Sequence, residues 1–423
     1  MSSFSARMLS GSSVGVILSV ALGTVAQAQP ASSPAPAQPA AVPTLSLHEC
    51  VAVGLARRPA IRAAESSYQS ALLNYRGINN LPLIASLTKP ELSVRKEQLL
   101  KSILLSEAGV EKARQETVYD VTRVYYTYVY ARQQERTASD VIGRLEQFSK
   151  VVETFLKSKP NDPKAKANQI TLNNIQNTIS EARISALRAE LGRRQALIGL
   201  MEAMGGDFDR DFAPRDQTLP VVVDVVSRSQ VIDLAMSRRP ELVMAAAGSE
   251  AFRLEICAQM KSRGLQGTTL GAGRDIHTQQ IPIPVRDADY KPGGINPEMP
   301  TLIAGKKDDR VARATELSHR ADASAEQVAI LLRVEAEVAF ITWDVATRRM
   351  AEVKKRSDGL RKISEETRMA AMFQMETETI LINETAAGRA LAEYTEATFE
   401  HLKTLMTLER VTGGTIQPAF PGR

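Results

Sequence analysis

The sequence predicts a mainly α protein. Long antiparallel helices form a duplicated helical-hairpin arrangement, and β structure is limited to short segments. Three observations carry this prediction. A capped helix-and-break unit occurs twice at one spacing. Residues 93–157 and 311–372 each run without a proline. Hydrophobic residues make up 43% of the chain but aromatics only 5%, which suits helices rich in Ala, Leu, Glu and Arg rather than a dense aromatic core.

The repeated unit begins Ser46-Leu-His-Glu49 and ends Arg57-Arg58-Pro59; its second copy begins Ser227-Arg-Ser-Gln230 and ends Arg238-Arg239-Pro240. The Ser-x-x-Glu/Gln opening is a capping-box pattern that satisfies free N–H groups at a helix start. The residue before proline avoids helical angles, so each short helix stops at Arg58 or Arg239. Each proline then fits the first turn of a second helix, where its missing N–H costs nothing. An offset of 181 residues, from Pro59 to Pro240, aligns the two copies without a gap. This spacing is too long for a solenoid and indicates a tandem duplication.

Taken in order, residues 1–28 form a secretory leader. Arg7 supplies its charge, residues 14–22 its apolar run, and Ala26-Gln27-Ala28 a small-residue cleavage site. The run is shorter than the ~20 residues that span a bilayer. Residues 29–43, rich in Pro, Ala and Ser, make a linker. The first structural repeat covers 44–206. In it a helix over 59–75 breaks at Gly77-Ile-Asn-Asn80, a short insert follows, and a long helix spans 93–157. A two-proline turn at 159–163 leads to a returning helix over 165–204. Ile184, Leu187, Leu191, Ile198 and Met201 give this helix a seam, interrupted by Arg194. Gly205-Gly206 ends it.

Residues 207–226 connect to the second repeat, 227–414. A helix over 240–262 precedes a Gly/Pro-rich segment, 264–309. A long helix over 311–372 bends into a last helix over 377–411, with a seam of Leu391, Tyr394, Thr398, Leu402 and Leu405. Gly413-Gly414 closes it, and 415–423 is a disordered tail.

No reading of the chain yields an enzyme. His48, His277, His319 and His401 are scattered, without metal-ligand spacing. Gly271-Ala-Gly273 lacks the third glycine of a dinucleotide loop, and Asp207-Phe-Asp-Arg-Asp211 lacks the glycine and glutamate of a calcium loop. No cofactor or metal is expected. The net charge of +5 is spread among interleaved acids and bases, which argues against a nucleic-acid partner. Cys50 and Cys257 fall at different levels of the two repeats, so they are expected to be ordinary buried thiols without a disulfide. Tyr119, Tyr125, Tyr126, Tyr128 and Tyr130 are read as inter-helix packing, with an aromatic belt near a membrane as the alternative.

The capped Ser-Leu-x-Glu opening, the Arg-Arg-Pro break and the Ala-rich helix behind it resemble the TolC-like outer-membrane efflux proteins. So do the stretches from Thr117 to Tyr126 and from Val334 to Phe340, and the duplication of the whole order over residues 44–414. The resemblance implies a homotrimer whose long helices form an α-barrel across the periplasm, with short strands of three chains closing a barrel in outer-membrane lipid. It implies a periplasmic adaptor protein and an inner-membrane pump as partners, and a passive conduit for small molecules or secreted cargo. The far hairpin ends would then be the periplasmic tip. Phe155, Lys157, Lys159, Phe373, Gln374, Glu376, Glu378 and Glu384 are its candidate gating or adaptor-contact residues, the glutamates as a ring favouring cations. At the membrane end the first insert, 77–92, has room for two very short strands, and the second carries Pro282, Pro284, Pro292, Pro297 and Pro300, which remove ladder donors. This end is expected to be short and irregular, its barrel reduced or replaced by loops. The alternative function is a periplasmic scaffold that keeps the tube without the barrel.

Overall fold

A computed structural model describes residues 43–158, 169–206, 208, 211–222, 226–262, 268–272, 295–301, 303–374 and 377–414. The leader, most of the linker, the two-proline turn and the tail lie outside the described residues.

Each repeat opens as its sequence dictates. Helix α1 is Leu47–Arg57, and Ser46 and Glu49 complete a full capping box. Its counterpart α6, Arg228–Arg238, forms half the box: Gln230 N–H donates to Ser227 Oγ at 3.3 Å. Arg58 and Arg239 leave the helix at ψ 125° and 123°, and α2 (Pro59–Asn79) and α7 (Pro240–Lys261) each start on their proline. Helix α2 runs through Gly77 instead of breaking there. A glycine inside a helix costs only about 1 kcal/mol, and the helix ends where Asn80 caps it.

The long helices are α4 (Leu92–Ser158) and α8 (Lys307–Gln374), of 67 and 68 residues, about 100 Å each. The returning helices α5 (Gln169–Ala203) and α9 (Thr377–Val411) have 35 residues each. Arg183 meets Glu146 at 2.6 Å and Arg193 meets Glu135 at 2.7 Å, so α5 runs antiparallel to α4. In the hairpin half the helices lie side by side in the order α5, α4, α9, α8; in the other half the order is α2, α4, α7, α8.

The main core sits where the two halves meet. Leu47 and Cys50 of α1, Val121 and Tyr125 of α4, Leu200 of α5, Val231 and Ala235 of α6, Ala336 of α8, and Leu402, Leu405 and Leu408 of α9 share one buried cluster. Leu402 and Leu405 of the α9 seam are therefore covered by their own chain, and only Leu391 of that seam is open. Most of the α5 seam behaves oppositely: Ile184, Leu187, Leu191 and Ile198 are exposed, and Met201 at its end is buried. Tyr125, Tyr126 and Tyr128 are buried, and Tyr130 stacks on Phe399 at 4.6 Å. The packing reading holds because α4 is flanked on several sides. Cys50 is buried and its thiol is pushed up to about 12 by burial. Cys257 is exposed, contrary to the sequence reading, on a side of α7 that its neighbours leave open; both cysteines are free.

Both returning helices end in the same turn. Gly206 N–H donates to Met201 O at 2.8 Å and Gly205 N–H to Glu202 O at 2.9 Å; Gly414 and Gly413 repeat this on Glu409 and Arg410 at 2.8 and 3.2 Å. This is the Schellman pattern, with φ positive at all four glycines. A side chain at Gly205 would strike Arg57 Cβ at 3.0 Å, and one at Gly413 would strike Arg238 Cβ at 3.1 Å. Each turn thus seats directly on the end of its own repeat's short helix.

A buried charge knot fixes α7 to α8 and α9. Arg239 pairs with Glu241 at 2.9 Å and with Glu335 at 3.2 Å, and Arg410 joins Glu335 at 2.8 Å. Burial opposes ionisation of Glu241, but the charge and hydrogen bonds of Arg239, aided by Lys112, outweigh it and hold the carboxyl below its ordinary value.

Three outcomes follow. Gly205→Ala and Gly413→Ala should each lower stability by about 1–3 kcal/mol in urea unfolding. Gly359→Ala, in an open helix interior, should raise it by about 0.5–1 kcal/mol. A carboxyl with a depressed folded pKa stabilises above its unfolded value, and that contribution disappears as pH falls through the folded value. Glu241→Gln should therefore destabilise the chain near neutrality by about 3 kcal/mol, with the difference from the parent shrinking in unfolding curves taken below about pH 4.

Candidate functional site

The hairpin ends form one candidate site. Leu145 and Val152 of α4 and Leu172, Ile175 and Ile179 of α5 make a small core, and Phe148, Phe155, Leu156 and Leu381 pack against it. Leu381 belongs to α9, so this core brings the two hairpins together. Phe155 is consequently a half-buried packing residue. Lys157 is exposed in the last turn of α4. Phe373 and Gln374 close α8. Glu378 is exposed in the first turn of α9, where the helix dipole favours a carboxylate. Lys159 and Glu376 lie outside the described residues.

Glu384 differs from the other candidates. Its carboxylate accepts from Ser364 Oγ at 2.8 Å and pairs with Arg144 at 3.3 Å. Both contacts lie within the chain, so Glu384 clasps α4, α8 and α9 together. Asn383 adds a second contact between the arms of the hairpin, donating to Thr367 at 2.8 Å. Slightly further from the tip, Gln134 donates to Ala392 O at 2.9 Å, and Gly388 lets α9 approach Val141, whose Cγ2 would lie 2.8 Å from an added Cβ. Sequence reasoning missed Arg144. An arginine among many on a charged helix carries no local signal of a partner hundreds of residues away.

The opposite end is the second candidate. The first insert is described throughout and holds helix α3, Leu83–Thr88. The sequence reading left room for two strands there. Lys89, before Pro90, stops the helix instead. The second insert holds an antiparallel pair, β3 (Thr268–Ala272) and β4 (Ile295–Pro300). Pro297 and Pro300 pair with Leu270 and Thr268 across a bulge. Prolines expected to interrupt strands are accommodated because each strand of a two-stranded ribbon has an open side. Residues 273–294, with Pro282, Pro284 and Pro292, lie outside the described residues. A second pairing, parallel, joins β1 (Thr44–Leu45) to β2 (Ala213–Pro214) at the level of the main core.

This end is tied together by Glu255, which is 1% exposed. Glu255 receives Arg95 at 3.3 Å, Gln98 at 2.9 Å, Gln259 at 2.7 Å and the Leu270 backbone N–H at 3.3 Å. Gln259 in turn accepts from Arg310 at 3.0 Å. One carboxylate thereby links α4, α7, β3 and the start of α8.

Among the described residues no cluster of His, Cys, Asp and Glu could hold a metal. His48 and His319 are exposed. His401 is buried between Thr347 Oγ1 and Val222 O, both at 3.1 Å, a structural role. No helix among the described residues is long and apolar enough to cross a membrane.

No family model matches the sequence, and no curated protein matches it. Solved structures do match. The outer-membrane channel OprN aligns with 14% identity and a TM-score of 0.67 over 88% of this chain and 91% of that one. The open state of the MtrE outer membrane channel of Neisseria gonorrhoeae gives 14% and 0.66 over 87% and 89%. VceC, an outer membrane protein of Vibrio cholerae, gives 11% and 0.58 over 85% and 95%. The chain has the TolC-like outer-membrane channel fold. In this TolC-like fold the α4–α5 and α8–α9 hairpins are the two long arms, and Glu384 joins them.

A double-mutant cycle on Arg144→Ala and Glu384→Ala should give a coupling of about 0.5–1 kcal/mol, since one partner is half exposed. Limited proteolysis should cut the Glu384→Ala hairpin tip faster than the parent.

Proposed function

We propose that this chain is the outer-membrane channel component of a multi-protein efflux or export system. In this reading it is exported through a cleaved leader, forms a homotrimer, and projects into the periplasm. The carrying observation is the pair of uncovered edges. In the hairpin half α5 and α8 bound the helical layer, and each bears exposed apolar side chains: Ile184, Leu187, Leu191 and Ile198 on α5; Ile341, Val345 and Ile363 on α8. Rows of this kind on a thin layer favour association through burial of apolar surface. A head-to-tail contact that joins one edge to the other closes a ring when its rotation closes. The TolC-like fold supports three copies and a tube.

In this role the protein performs no chemistry on its cargo. The hairpin tips, with Lys157 and Glu378 exposed, would meet a periplasmic adaptor and, beyond it, an inner-membrane pump. The second reading, a periplasmic scaffold, is favoured by one observation: the first insert forms α3 where the resemblance implies strands.

The test is assembly followed by conductance. Light scattering of the purified chain should give three copies, and Leu187→Glu with Leu191→Glu should weaken the assembly at least about tenfold. A stable monomer at micromolar concentration would refute the tube. Stable single-channel conductance in planar bilayers favours the channel; a trimer without conductance favours the scaffold.

A further inference from the structure

The turn that ends each repeat leads into the same sequence pattern. Gly205-Gly206 is followed by Phe208, Phe212 and Arg215, and Gly413-Gly414 by Ile416, Phe420 and Arg423. An offset of 208 residues, from Gly205 to Gly413, thus matches an apolar residue, a phenylalanine and an arginine. In the first repeat these residues hold the chain against the start of α1. Phe212 is buried in the main core. β2 follows it and lies along β1, with Ala213 N–H donating to Pro43 O at 3.0 Å and Arg215 N–H to Leu45 O at 2.8 Å. The Arg215 side chain pairs with Glu49 of the capping box at 3.3 Å. The same segment is tied to α4, whose Tyr125 hydroxyl accepts from the Asp216 N–H at 3.3 Å and whose Arg132 donates to Pro214 O at 3.4 Å.

The second repeat offers the seat for such a strap. Its glycine turn rests on Arg238 as the first rests on Arg57, and φ is positive at both pairs, so the chain leaves both turns from the same footing. The offset of 181 residues brings Leu45 onto Val226 and Glu49 onto Gln230. Val226 is buried in the main core. Among the described residues its backbone joins no strand, although buried backbone groups are ordinarily paired. Arg58 with Asp120 and Arg239 with Glu335 are corresponding pairs, so an offset of 215 residues, from Asp120 to Glu335, relates α4 to α8. It puts Phe340 where Tyr125 stands, Trp343 where Tyr128 stands and Thr347 where Arg132 stands. Thr347 is committed to His401. Trp343 is 6% exposed, and its indole N–H meets no acceptor among the described residues, whereas a buried indole N–H usually finds one. Val226 and Trp343 therefore both want a backbone partner at the level where the first repeat holds its strap.

We propose that residues 415–423, which lie outside the described residues, fold back as a second strap. Phe420 packs onto α8 at the level of Trp343, the Arg423 N–H donates to Val226 O, and a carbonyl of the strap receives the Trp343 indole N–H. This strap is the weaker of the two. Pro421 stands at the position of Ala213 and donates no N–H, and neutral Gln230 replaces Glu49 opposite the arginine. The inference concerns the packing of a single chain and holds for the channel and the scaffold alike.

The experiment has two arms. In a Cys257→Ser background, Val226→Cys with Gly422→Cys, the counterparts of the paired Leu45 and Pro214, should form a disulfide within one chain under mild oxidation. Peptide mapping reads the bond, and Leu45→Cys with Pro214→Cys is the control from the first repeat. Trp343 is the chain's one tryptophan, so fluorescence reports its surroundings alone. Deleting residues 415–423, or Phe420→Ala, should move the emission to longer wavelength and increase its quenching by acrylamide, with helical circular dichroism unchanged. Phe420→Leu should keep the parent's emission. Hydrogen exchange at the start of α6 should quicken in the deletion and in Phe420→Ala, while that at the start of α1 should not. The proposal is overturned if the control pair oxidises and Val226→Cys with Gly422→Cys does not. A disulfide formed only between two chains overturns it too, because the strap would then come from a second copy. So does a deletion that leaves Trp343 emission and α6 exchange as they are in the parent.

Discussion

A helix about 100 Å long cannot bury itself by folding back; it can only be flanked along its sides. The architecture follows from that constraint on α4 and α8. Neither shorter helix type reaches the whole length of its partner. One set of helices, α2 and α7, covers the end near the inserts, and another, α5 and α9, covers the hairpin end. The main core lies where the two sets meet, because only there do α1, α6 and the ends of α5 and α9 surround the long helices. Elsewhere the layer is thin, and its outer helices keep apolar rows open.

Hydrophobic contact between smooth helices leaves sliding cheap, so register is set by polar joints. Glu255 receives donors from α4, α7 and β3, and Arg239, Glu335 and Arg410 hold α7, α8 and α9. A buried carboxylate left without such donors would cost several kcal/mol, so each joint tolerates one alignment. The two repeats use the device unequally. Arg58 meets Asp120 at 2.6 Å in a partly solvated site, while the corresponding Arg239 is buried within its knot.

Much of the fold was legible in the sequence. Ser46 with Glu49, Arg58 before Pro59, and Gly205-Gly206 act over a few residues, through caps, excluded angles and positive φ. Such signals depend on neighbours in the chain and survive in any surroundings, so they located the short helices, the long ones and the final turns. Gly77 and the first insert misled because their signals are weak: a glycine slows a helix without stopping it, and a short segment lacking periodicity fits a strand or a helix.

Tertiary structure decided which face of each helix is covered. The α5 and α9 seams have similar spacing in sequence, yet Leu187 is open and Leu402 is buried, because α9 lies between two long helices and α5 lies at an edge. The same reason separates Glu378 from Glu384: both were plausible tip carboxylates, and only contact with Arg144, far away in sequence, turned one into a clasp. The sequence by itself determined where helices start, stop and repeat, since those are local balances of hydrogen bonding and backbone angle. Burial, pairing and the two open edges depend on contacts between distant segments, and only the packed structure determines them.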